Sequence, residues 1–131
     1  MILVLATRNN GKVKEISSAL AWPSLAFRSL NDFPALPKVI EDGDSYLENA
    51  LKKARAVSDS LHLPVLADDS GLEVDPLQGA PGIWSARFSG PKATDQENNA
   101  KLLTLLKGVP EEQRTARFVC LLVFYDPSGG D

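Results

Sequence analysis

The run ILVLA at residues 2–6 has no polar position, and this limits the fold more than any other feature of the chain. A strand that shows water neither face belongs inside a sheet covered on both sides. The polar, glycine-containing turn TRNNG follows it, and then KVKEISSALAW sets Val13, Ile16 and Leu20 at helical spacing before Pro23 stops the helix. A second strand is expected over 25–30, a loop with two prolines over NDFPALPK, and an extended or irregular segment over 38–44. The clearest helix is 45–62. Ser45 and Glu48 form a capping-box pattern, Leu47, Ala50, Leu51, Ala54, Val57 and Leu61 mark one apolar face, and Glu48 and Lys52 are an i,i+4 pair. PVLAD and GLEVD read as two strands broken at Ser70-Gly71, and residues 76–92, rich in glycine and proline, as a long loop. Thr94 and Glu97 open a further helix that Gly108 and Pro110 close, and TARFVCLLVFYD is a long strand leading into DPSGGD, which has turn chemistry. Strands interleaved with helices, with no internal repeat, give an α/β class with a central sheet.

Composition removes several functions. The 131 residues suit one domain, 44% apolar and 24% charged is ordinary for a globular protein, and the net charge of −3 comes with no basic run. A general nucleic-acid surface is therefore not expected, and any anionic ligand must be met by local cations. No apolar run approaches the roughly 20 residues of a membrane span. The opening MILVLATRNNGK lacks a basic leader and reads as a first strand, so a cytoplasmic location is expected. Cys120, alone within FVCLLVFY, reads as a small buried hydrophobe, and His62 as an exposed residue at a helix end in preference to a catalytic base.

Four places can carry chemistry. ATRNNGK joins a strand to a helix, so Thr7, Asn9, Asn10 and the cation of Lys12 surround the positive end of a helix, which suits phosphate. A plain turn capped by an asparagine fits the same spacing, and the loop is not a Walker A motif. The carboxylates Glu41, Asp42, Asp44, Asp68 and Asp69 are an oxygen-rich set of the kind that binds Mg²⁺ together with substrate phosphates; a solvated strand end is the competing reading. Adjacent residues in an extended chain point to opposite faces, so Asp68 and Asp69 need not share a site. Lys53, flanking the helix beside Asn49, is placed to reach a phosphate or to lie on a solvated face. In GAPGIWSARFSG, Trp84, Arg87 and Phe88 are weighted toward packing or an oligomer contact.

Taken in order, ATRNNGK, ENALKKA, ADDSGLEVD, GAPGIWSARFSG and TDQENNAKLL resemble the inosine triphosphate pyrophosphatase family. The resemblance spans almost the whole chain. It implies a two-lobed α/β fold with a long central mixed sheet flanked by helices and a cleft between lobes. It also implies Mg²⁺-dependent hydrolysis of deaminated purine nucleoside triphosphates (ITP, dITP, XTP) to monophosphate and pyrophosphate, and a homodimer. Carried over residue by residue, Thr7, Arg8, Asn9, Asn10, Gly11 and Lys12 fall on the triphosphate loop, Lys53 on a phosphate-contacting catalytic lysine and Ser70 on a substrate contact. Glu41 and Asp69 fall on the metal carboxylates, with Asp69 also the general base. Asp68 is then expected to face the other way and to anchor the turn.

The family's G-F-G-Y-D-P and S-H-R segments, which grip the base, are absent from residues 1–131. The C-terminal part of the fold is therefore expected to be missing, with slow turnover and weak base discrimination. Competing expectations are a non-catalytic nucleotide-binding module and a septum-inhibitor-type pyrophosphatase; the SARFSG loop favours the first family.

Overall fold

The computed structural model describes residues 1–128. The elements run β1 (Ile2–Leu5), α1 (Asn10–Ala19), β2 (Ala26–Ser29), α2 (Tyr46–Leu61), β3 (Val65–Val74), α3 (Asp95–Leu105) and β4 (Ala116–Tyr125), joined by loops and short 3-10 turns. One four-stranded sheet has the order β2-β1-β3-β4. β1 pairs in parallel with both neighbours, Val4 opposite Arg28 on one side and Val65 on the other. Glu73 meets Arg117 and Asp75 meets Thr115, so partner numbers fall as β3 advances, and β3 and β4 run antiparallel. The sheet is mixed and flanked by helices, as the sequence predicts.

The described residues divide into two compact units, residues 1–68 with 121–128, and residues 69–120. In the first, Val4, Ala6, Leu30, Ala54, Val57, Val65 and Ala67 form the core. Leu3, Val4 and Leu5 are all buried, which is the two-faced burial expected of ILVLA. Each such side chain contributes roughly 1.5–3 kcal/mol by leaving water. In the second unit, Asn98 is buried on α3. Its amide donates to the Ala86 carbonyl at 3.1 Å and accepts from the Ser89 N–H at 2.9 Å, so the SARFSG segment is tied to the helix behind it. Arg87 lies 4.7 Å over the Trp84 ring, which is 50% exposed, and Lys101 lies 4.4 Å over Phe88.

Several local expectations change. VLADDSGLEV is one continuous strand, with no break at Ser70-Gly71, because ladder pairing outweighs the turn preference of that dipeptide. Leu47 is 53% exposed, and the buried face of α2 is Asn49, Ala50, Ala54, Val57 and Ser58. Ser45 does cap α2 by accepting from the Glu48 N–H. The Glu48 carboxylate, however, accepts from the Asp44 N–H at 2.7 Å, while Lys52 pairs with Asp42 at 2.6 Å, so the expected Glu48–Lys52 pair gives way to contacts with the preceding segment. The box at Thr94 and Glu97 is present in both halves. Cys120 is exposed, not buried as expected: it shares the outward face of β4 with Phe118, Leu122 and Phe124. His62 caps α2 at φ 55° and is exposed, as the end of a helix predicts. Asp126 accepts from the Ser128 N–H and hydroxyl, so the turn after β4 begins as expected; residues 129–131 of DPSGGD lie outside the described residues.

Candidate active site

The loop after β1 is built by its own side chains. Thr7 accepts through Oγ1 from the Asn9 N–H at 3.1 Å, and Asn9 caps α1 by accepting from the Lys12 N–H at 3.2 Å. The asparagine cap weighed from the sequence is thus real, and it leaves the remaining first-turn N–H groups of Asn10 and Gly11 at the positive end of a ten-residue helix. No acidic residue lies in that first turn to neutralise it. Arg8 turns back on the fold, donating to the Leu30 carbonyl at 3.0 Å and the Leu36 carbonyl at 3.1 Å. Asn31 ties the loop from the other side, reaching the Arg8 carbonyl at 3.1 Å and the Asn10 side chain at 2.8 Å. A loop held at this many points presents its N–H groups in one arrangement.

Two lysines next to this loop are each held by a carboxylate. Lys12 Nζ lies 2.7 Å from Asp68 Oδ2, the lysine side chain 38% exposed and the aspartate 5%. Lys53, projecting from α2, lies 2.9 Å from Glu41 Oε1. Glu41 belongs to a segment without regular structure that α2 clamps in place: buried Asn49 accepts from the Gly43 N–H at 2.7 Å, one turn before Lys53 on the same helix. The ENALKKA stretch therefore supplies both the lysine and the side chain that fixes its partner's backbone.

A cavity of about 310 Å³ in the first unit is lined by Thr7, Arg8, Lys38, Glu41 and Lys53 with apolar neighbours. It brings together residues from 7 to 53 that the sequence singled out separately. Three cationic side chains against one carboxylate provide the local positive charge that an anion needs in a chain of net charge −3. Asn9, Asn10, Gly11 and Lys12 follow Arg8 in the chain and are not among the residues that line it. Sequence reasoning missed Lys38, which follows Pro37 in a non-periodic segment and carries no pattern to mark it. It also missed that Asp68 belongs with Lys12: Asp68 is buried in the strand and anchors no turn.

The donors suit a hard cation that arrives with a phosphate ligand. Glu41 offers carboxylate oxygen on a side chain 31% exposed. Among the described residues no group of three or more His, Cys, Asp or Glu forms a closed metal cage. Mg²⁺ is ordinarily held by one or two carboxylates, with substrate phosphate and water filling the other positions. Asp69 and Ser70 follow on β3, in the second unit, both half-buried. Also in the second unit, the Glu97 carboxylate is held below its ordinary value of 4.5 by hydrogen bonds from the Thr94 backbone and hydroxyl, which is the chemistry of a helix cap and lies apart from the candidate site in sequence.

Comparison with known proteins bears on the family and the fold. A model of the Ham1 family matches residues 3–131. A dITP/XTP pyrophosphatase of Geobacter sulfurreducens is 53% identical over 127 residues, covering 97% of this chain and 64% of its own length. Among solved structures, a HAM1 protein from Coxiella burnetii superposes with a TM-score of 0.86 at 34% identity, covering 100% of this chain and 66% of that one. A nucleoside-triphosphatase / dITP/XTP pyrophosphatase from Mycobacterium abscessus gives a TM-score of 0.81 at 41% identity, covering 98% and 67%. The chain spans about three fifths of the length of the curated relatives it matches.

Proposed function

The chain belongs to the Ham1 family, and from that premise we propose that its activity is hydrolysis of a deaminated purine nucleoside triphosphate (ITP, dITP or XTP) to the monophosphate and pyrophosphate, with Mg²⁺ as cofactor. Removing such nucleotides would cleanse the nucleotide pool. The observation that carries the reading is the cavity at the start of α1, where Thr7, Arg8, Lys38, Lys53 and Glu41 converge.

Phosphoryl transfer asks a protein for charge neutralisation and a positioned water more than for a covalent step. The N–H groups at the start of α1 and the Lys12 ammonium take phosphate oxygens, and Lys53 neutralises charge as it moves to the leaving pyrophosphate. Arg8 acts mainly through the carbonyls of Leu30 and Leu36, which fix the loop's shape. Asp69 takes the proton from the water whose oxygen bonds to the α-phosphorus while the bond from that phosphorus to the bridging oxygen breaks, and Ser70 contacts substrate. Glu41 and Asp69 are the carboxylates that would hold Mg²⁺, which supplies further charge neutralisation on the phosphate oxygens when bound. The setting is cytoplasmic and the assembly a homodimer; no helix among the described residues is long and apolar enough to cross a membrane.

The test incubates ITP with the chain and follows pyrophosphate release, with Mg²⁺ and with excess chelator. Release that needs Mg²⁺ and is lost on chelation is the expected result. Nucleotide binding with no pyrophosphate at any Mg²⁺ concentration would replace the enzyme with a binding module.

A further inference from the structure

Among the described residues, Asp68 is the only buried side chain that carries a charge; the other buried polar residues are Ser29, Asn49, Ser58 and Asn98. Taking a carboxylate out of water is costly, and an apolar residue of similar volume commonly serves a fold as well or better. Its presence calls for a task beyond stability. The one contact that explains the charge is the 2.7 Å pair with Lys12 Nζ, which links the middle of β3 to the first turn of α1 across 56 residues of sequence.

The pair is asymmetric. Asp68 is 5% exposed and cannot move far, while Lys12 is 38% exposed at the ammonium end of a flexible four-carbon stem. A lysine free in solution samples many rotamers, and ordering it on binding an anion weakens the binding. With one ammonium hydrogen donated to Asp68, two remain to donate outward. Lys12 itself stands in the first turn of α1, a helix start with no acidic residue to offset its positive end. From this geometry we infer that Asp68 is a positioning residue: it holds the Lys12 ammonium where the α1 loop binds the polyphosphate of the substrate, and is itself neither the base nor a metal ligand. The inference rests on the reading of the α1 loop as a phosphate site.

Charge alone argues for the opposite effect. A carboxylate beside the site repels an anion, so Asp68→Asn tightens binding if Asp68 acts only through its field, and weakens it if Asp68 acts by holding Lys12. The experiment measures tripolyphosphate binding by calorimetry, without metal, for the wild type, Asp68→Asn, Lys12→Met and the double variant, with folding checked by circular dichroism. Asp68→Asn should weaken binding about tenfold in the wild-type background and less than about twofold in the Lys12→Met background, since neighbours acting as a unit are non-additive. Asp68→Leu, which removes the carboxylate and its desolvation cost together, should behave like Asp68→Asn and serves if the amide variant does not fold. For ITP hydrolysis, KM should rise with kcat held within about twofold, the mark of lost binding energy.

Tighter binding in Asp68→Asn, or equal weakening in both backgrounds, would overturn the inference. So would a large loss of kcat at constant KM, which would make Asp68 the base. Failure of wild-type protein to bind tripolyphosphate would instead overturn the phosphate reading on which the inference stands.

Discussion

The segment that carries Glu41 has no regular structure, and its position depends on Asn49. Asn49 is 1% exposed and accepts from the Gly43 N–H at 2.7 Å. Asn49→Ala removes that acceptor and strands a partly buried backbone donor, a loss of about 1–3 kcal/mol. Because the side chain is buried, the space it leaves adds to the penalty. A central expectation is about 2 kcal/mol, roughly 8 °C in Tm for a domain of this size. Gly43→Ala attacks the same joint from the other side. A Cβ there would lie 2.7 Å from Glu48 Cβ and 2.8 Å from Asn49 Oδ1, closer than carbon and oxygen tolerate, for about 1–3 kcal/mol of overpacking. Removing the Asn49 side chain relieves one of those two clashes, so the double variant should lose less than the sum of the singles by at least about 0.5 kcal/mol. Urea unfolding of all four proteins measures the cycle, and amide exchange at Gly43 reports the joint directly, with protection lost in Asn49→Ala. A loss under about 0.5 kcal/mol with Gly43 still protected, or additive singles, would refute the claim that Asn49 holds the Glu41 segment.

Three further outcomes can be checked independently. Asp69→Asn should keep the circular dichroism spectrum and abolish pyrophosphate release from ITP; unchanged release would remove Asp69 as the base. His62 holds φ 55° at the end of α2, a conformation that suits glycine, so His62→Gly should raise stability by up to about 1 kcal/mol, measured by urea unfolding, with a lower midpoint counting against it. The Glu97 carboxylate is held below its ordinary pKa by hydrogen bonds from Thr94. Its contribution to the α3 cap is therefore present above the ordinary value of 4.5 and lost as pH falls through the lowered value. A carboxyl NMR titration of Glu97 should show a midpoint below that of the same residue in a Thr94→Ala variant.

Local chemistry is written in consecutive residues, and the amino-acid sequence by itself determines it. ILVLA specifies a strand covered on both faces, Thr94 with Glu97 a helix start, and Thr7 to Lys12 a strand-to-helix loop with an asparagine cap, because each depends on neighbours within a few residues. The resemblance of five ordered motifs carries the family as well. What the chain does not state locally is the partner of each charge. Glu48 and Lys52 sit at ideal helical spacing, yet each is drawn to the segment before the helix, where Asp44 and Asp42 lie within reach. Ser70-Gly71 has turn character, yet the sheet extends through it, since ladder bonds belong to the strand's neighbours and not to the dipeptide. Cys120 sits in an apolar run, but which face of β4 is covered depends on what packs there. The sequence separates Asp68 from Asp69 but gives Asp68 no partner; only the fold sets it against Lys12, 56 residues away. Charge pairing over such separations is a property of how strands and helices are brought together, and tertiary structure alone decides it.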